Sequence, residues 1–381
     1  MLDESLLDDP EALTGADRSA LLRGTAEAGA RVRTAARNAS DAGLTALRPD
    51  GRPRGLLVAG PAPAAGCVAD LLAAFSHGVL PVSLLRPTGA GPTPDALRWT
   101  LPGWAGPLDL LVIVTPDGTE AGLAALAEQA YRRGCTVVTV TRPGGTVAEM
   151  AGHLHGLTVP VELPHPHART DAGPAASGTP VLPGTLWTLL TPLLVLTDRL
   201  GLGHAPPHAV QALADRLDAV AERCGPATET YTNPAKTLAA ELSEALPVLW
   251  SEGPVAAAAA RHCTTVLASL PGRPSLAAEL PEALTVHRAL LGGAFTAADP
   301  DDFFRDRVEE PQPLQAHVVL LRDAAADPES AAPAARELAF AHEAGISELE
   351  PTAGSSPLEA AADLIATTDF AAVYLALTPD A

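Results

Sequence analysis

Lysine is nearly missing from this sequence: Lys236 is the only one in 381 residues, and arginine carries almost all the positive charge. Basic residues are few overall, with 25 Lys and Arg against 45 Asp and Glu and a net charge of −20. That balance excludes a nucleic-acid-binding role, because phosphate backbones are held by basic surfaces. Cysteine is scarce and scattered at Cys67, Cys135, Cys224 and Cys263 with no CxxC spacing, which points away from a metal site or a disulfide frame and toward small core residues in a reducing cytoplasm. The acidic start MLDESLLDDPEALT does not read as a signal peptide, so none is expected there. No apolar run is long enough to span a bilayer; the best candidate, Leu182 to Leu196, holds two prolines and reads as a core helix, so no membrane partner is expected. Aromatics make up 3% against abundant Ala, Gly, Pro and Arg, a bias of a GC-rich genome rather than of function. The turn GPAPAAG lacks GxGxxG, so a nicotinamide cofactor is not expected. His165 and His167 lack a third ligand nearby, and no metal is expected either.

What is present is an alternation of strands and helices. A hydrophobic content of 47% with mean hydropathy +0.16 suits buried sheets, and the length suits two domains. Leu110 to Leu126 (LLVIVTPDGTEAGLAAL) runs from five apolar residues through a Pro-Asp-Gly turn into an Ala/Leu segment. This predicts a buried parallel strand leading into a helix N-terminus. Free backbone N–H groups and the helix dipole at such a junction favour an anion. Cys135 to Val140 (CTVVTV) with the turn RPGG repeats the unit.

An N-terminal helical segment is expected over residues 1–50, a first doubly wound α/β domain over 51–168, a linker over 169–181 and a second such domain over 182–381. Strands are predicted at Leu56–Ala59, Val79–Leu85, the two units above and an edge segment Leu157–Leu163. In the second half Asn233 is a candidate N-cap followed by Pro234 at the first helical position. Strands at 247–250, 316–321 and 346–349 alternate with helices, the last at 357–377. The charge-dense DPDDFFRDRVEE at Asp299–Glu310 reads as a solvated helix, with a docking or lid segment as the other reading.

These residues carry a resemblance. GPAPAAGCVADLL, TPDGTEAGL and VTVTRPGGTVAEMA in the first half, and NPAKTLAAELSEALPVLWSEG, AELPEAL, SELEP and TTDFAAVYLAL in the second, are similar in order to the bifunctional phosphoglucose/phosphomannose isomerases of the sugar isomerase (SIS) superfamily. The resemblance implies two SIS-type domains, each a mostly parallel sheet flanked by helices. It also implies a hexose 6-phosphate ligand, aldose–ketose isomerisation of glucose 6-phosphate or mannose 6-phosphate to fructose 6-phosphate, and a homodimer. It further implies a phosphate site at Thr115, Gly118 and Thr119. Lys236, the lone lysine of an arginine-biased chain, stands at a helix start where it either reaches a phosphate as a point charge or is a surface residue of an N-capped helix.

The expected chemistry needs a carboxylate base, an acid/base group for ring opening and a cation near the developing oxyanion. The sequence departs at each. Counting from the flanking motifs puts Ala268 or Ser269 at the base, Thr285 at the histidine and Gly184 at the arginine, while Pro116 and Asp117 alter the phosphate loop and Ala65 the first turn. Glu282, with Glu279 beside it, and His287 are the candidate substitute base and acid; the other reading makes them surface, capping or packed residues. Two functions remain open: a working isomerase with relocated groups, or a non-catalytic sugar-phosphate-binding or regulatory protein.

Overall fold

A computed structural model describes residues 4–49, 51–89, 93, 96–163, 183–292, 315–324 and 329–378. The connection His165–Thr179 and the segment Asp299–Glu310 lie outside the described residues. The chain divides into two compact units, one of residues 18–222 and one of residues 1–17 with 223–381.

In the first unit the strands β1 (Gly55–Ala59), β2 (Val82–Leu85), β3 (Asp109–Thr115), β4 (Thr136–Thr141) and β5 (Leu157–Pro160) form one sheet in the order β2-β1-β3-β4-β5, every pair parallel. Every residue of β1 and β3 is buried, which is why the sequence shows unbroken apolar runs there and not alternation. Helices α1 (Ala28–Asp41), α2 (Ala64–Phe75), α3 (Ala121–Arg132) and α4 (Thr146–His153) cover it, with Leu57, Ala59, Leu111, Ile113, Leu123 and Val147 in one core. The charged start of β3 is tolerated because Asp109 accepts from Arg54 Nη2 at 2.7 Å and from the Gly106 N–H at 2.8 Å.

Helix α5 (Thr185–Arg199) also belongs to this unit, packing on α1 and α2. Its Leu186, Trp187, Leu189, Leu190, Leu193 and Leu194 are buried, so α5 is a core layer of the first sheet. The division between units thus falls near residue 222, within α6 (Pro207–Cys224), and not at residue 182.

In the second unit β6 (Ala245–Glu252), β7 (Leu276–Glu279), β8 (Gln315–Arg322) and β9 (Gly345–Leu349) form a parallel sheet in the order β7-β6-β8-β9. Val248, Trp250, Val318 and Leu320 pack with Ala335 and Leu338 of α10 (Ala332–Ala341). Helix α7 (Pro234–Leu242) starts as expected, with the Asn233 side chain accepting from the Ala235 and Lys236 N–H groups at 3.0 and 3.1 Å. Helix α8 (Pro254–Ser269) and the short α9 (Ala283–Val286) follow β6 and β7.

The last helix, α11 (Pro357–Leu377), opens with a capping box: Ser356 accepts from the Glu359 N–H at 3.3 Å and its own N–H donates to Glu359 at 2.9 Å. Contrary to the expectation that no apolar run reaches that length, this helix is long and apolar enough to cross a membrane, yet 89% of its apolar window is buried inside the fold. There it packs against α7 and α8.

Candidate functional site

In an open parallel sheet, ligand-accessible chemistry gathers where strand order reverses, outside the carboxyl ends of the strands. The two sheets reverse between β1 and β3 and between β6 and β8. At the first point the chains approach closely: a Cβ on Gly60 would stand 2.0 Å from the Val114 carbonyl oxygen. Beyond β3, Gly118 takes φ +71°, which glycine adopts freely, and its N–H donates to Thr115 Oγ1 at 3.2 Å.

The Thr115 hydroxyl in turn donates to the carboxylate of Glu120, 2.7 and 2.9 Å from its two oxygens. Glu120 is the N-cap residue of α3 and only 3% exposed. Burial pushes its carboxyl up from the ordinary value, opposed by donors from Thr115 and from the Glu120 and Thr119 N–H groups, while neighbouring Asp117 adds to the rise. Thr119 itself is exposed. Thr115 and Gly118 therefore come together as the sequence suggests, but around the chain's own carboxylate. Arg142 reaches Asp117 at 4.0 Å on the rim. A cavity of about 620 Å³ in this unit opens at the opposite end of β3 and β4, lined by Leu47, Arg52, Leu110, Thr136 and Leu196, and includes none of the expected site residues.

The β6/β8 point is closed in a similar way. Asp323, just past β8, accepts from the Val255 N–H at 3.0 Å and from the Ala256 N–H, filling the α8 N-terminus; burial pushes its carboxyl up. Beside it Arg322 bonds Glu252 at 3.1 Å and Glu350 at 2.9 Å. Glu252 also accepts from Ser330 Oγ at 2.7 Å and the Ala331 N–H at 2.6 Å. Burial alone would push Glu252 up, and these donors outweigh it, leaving the carboxyl below its ordinary value.

The candidate base and acid are not assembled into a pair that could pass a proton. Glu282 is exposed before α9 with no side-chain cap bond. Glu279 is exposed and paired to Arg261 at 3.0 Å. Ala268 and Ser269 are exposed at the end of α8, and Thr285 is exposed. His287 is 7% exposed, and its Nδ1 accepts from the Trp250 indole N–H at 3.0 Å. That bond requires Nδ1 to be unprotonated, so the ring's proton sits on Nε2.

Burial lowers the His287 pKa from its ordinary value. A histidine pKa depressed in the folded state contributes stability that is present above the unfolded value of about 6.5 and is lost as pH falls through the folded value. Melting curves from pH 7.5 to pH 5 should therefore show a fall that is smaller in Trp250→Phe, where no indole bond remains to break. Equal falls in both proteins would remove this pair from the acid response.

Lys236, expected to reach a phosphate, is instead wholly buried. Its ammonium donates to the carbonyls of Leu7, Pro226 and Thr228 at 2.5, 2.9 and 2.8 Å. It also lies 5.7 Å from the Tyr374 ring centre. These acceptors match the three donors of an ammonium, so the lysine is a strut joining the residue 1–17 segment to the start of α7.

Residues 231–380 match the bacterial phospho-glucose isomerase C-terminal SIS domain. Solved structures with the same fold include a putative phosphosugar isomerase from Silicibacter pomeroyi, with TM-score 0.59 and 15% identity over 94% of this chain and 97% of that one. A putative phosphosugar isomerase from Clostridium difficile gives 0.58 and 11% over 92% and 91%. Tagatose-6-phosphate ketose/aldose isomerase from Escherichia coli gives 0.52 and 12% over 94% and 91%. No curated protein matches by sequence. The fold is thus an α/β one of SIS type, with parallel sheets flanked by helices.

Sequence reasoning passed over Glu120, Arg322 and Asp323, the groups that fill the strand ends of this SIS fold. For Glu120 a signal was available: an acidic residue directly after a Gly-containing turn, five positions beyond the strand-end Thr115, in TPDGTE. For Arg322 and Asp323 the signal was a charged pair closing an apolar strand, VVLLRD.

Proposed function

We propose that this chain is a hexose-phosphate-binding protein of the sugar isomerase fold that performs no isomerisation. The observation that carries this reading is the chemistry at the base position, where Ala268 and Ser269 stand exposed at the end of α8. Moving a proton between adjacent sugar carbons requires a positioned carboxylate whose pKa is tuned by burial or a neighbour. Glu282 is solvated, and the nearby His287 spends Nδ1 on an indole. The ligand class rests on the fold and on the match of residues 231–380 to a phospho-glucose isomerase domain.

A cytoplasmic setting suits the four free, buried cysteines, and a homodimer is tested by light scattering. The binding test is thermal: glucose 6-phosphate, mannose 6-phosphate or fructose 6-phosphate at a hundredfold excess over Kd should stabilise the folded chain by about 2.7 kcal/mol. Glu282→Gln should shift equally. An unchanged melting temperature at millimolar concentrations of all three sugars would reject the ligand class, and a shift abolished by Glu282→Gln would return that residue to the site.

A further inference from the structure

The β3–α3 loop holds an anion of its own making. We propose that Glu120 is a built-in occupant of the anion position in this loop, so that a phosphate or sulfate group enters only when that carboxylate is displaced or removed. The proposal rests on the hexose-phosphate reading above and adds the determinant of its affinity.

The donor set is the first observation. The Thr115 hydroxyl bonds both Glu120 oxygens, and Glu120 is buried at the start of α3. That hydroxyl, beside a helix N-terminus, is a donor that a tetrahedral oxyanion would take. An unpartnered hydroxyl is the second. Thr141 is 0% exposed, and its Oγ1 is buried without a hydrogen-bond partner. It is aimed at the loop, since a Cβ on Gly118 would stand 2.4 Å from it. The carboxylate brings two oxygens and leaves this donor unused; a sulfate or phosphate brings more acceptors.

Charge decides between the two occupants. Two anions cannot share a desolvated loop without strong repulsion, and Asp117 adds a further negative charge at the rim. Arg142, which reaches Asp117, offsets that charge only in part. The Glu120 carboxylate is covalently tethered and so holds the position against a dilute ligand.

Glu120→Ser tests this, because serine is a favoured N-cap that preserves the helix start while vacating the loop. Calorimetric titration of the full chain would use sodium sulfate, whose charge is constant between pH 5 and 8, and glucose 6-phosphate. Glu120→Ser should bind both at least about tenfold more tightly than wild type, and adding Thr141→Val should reverse most of that gain. A folded Glu120→Ser chain that binds sulfate no more tightly than wild type overturns the proposal. If wild type and variant bind glucose 6-phosphate with equal affinity, the occupant role fails while the binding reading stands. If neither binds it, both fail.

Discussion

Replacing Lys236 by methionine should lower the unfolding free energy by about 3–5 kcal/mol, because the ammonium satisfies three carbonyls and each would be left buried without a donor. The packing volume is roughly kept in this change, so the loss would report hydrogen bonding and charge. The acceptors come from Leu7 in the N-terminal segment and from Pro226 and Thr228 before α7. Breaking the strut therefore frees the residue 1–17 segment as well as the helix start. Urea denaturation gives the energy, and hydrogen exchange at residues 4–16 locates it. A loss under about 1 kcal/mol would mean that water replaces the ammonium at little cost.

Gly60→Ala should be nearly as severe, costing about 3 kcal/mol. The added Cβ would stand 2.0 Å from the Val114 carbonyl oxygen and 3.1 Å from Ala65 Cβ. A backbone carbonyl in a central strand cannot move aside as a flexible side chain would. Relief requires separating β1 from β3 where strand order reverses, which also disturbs the Thr115–Glu120 loop. Circular dichroism melting of Gly60→Ala beside Gly103→Ala separates this close approach from a general glycine effect, since a Cβ on Gly103 meets nothing within 4 Å. Equal melting temperatures for the two variants would contradict the argument.

Much of the fold was legible because burial on both faces leaves a plain record. LLVIVT and CTVVTV could be little else than interior parallel strands, and Asn233-Pro234 announced a helix start that the structure reproduces. Strand β7 was not legible: Leu276–Glu279 is mostly exposed at a sheet edge and is held by its ladder with β6, so no apolar pattern marks it. The ownership of α5 was hidden for another reason. An apolar helix declares that it is buried, but not which sheet it covers.

The candidate site was legible only in outline. The turn after β3 was identifiable as an anion-favouring loop, yet whether its donors are free depends on where the Glu120 side chain folds back, which no spacing rule states. Lys236 was misleading for a similar reason. Its rarity suggested a ligand contact, while its role depends on two carbonyls just before α7 and on a third, from Leu7, more than two hundred residues earlier.

The central claim is that this fold keeps a sugar-phosphate ligand without the proton-transfer groups. A coupled assay for fructose 6-phosphate formed from glucose 6-phosphate or mannose 6-phosphate, at micromolar concentrations of the chain, tests it most directly. The account predicts no turnover above a buffer blank under conditions where either sugar phosphate raises the melting temperature. Turnover that copurifies with the chain and disappears in Glu282→Gln would contradict it.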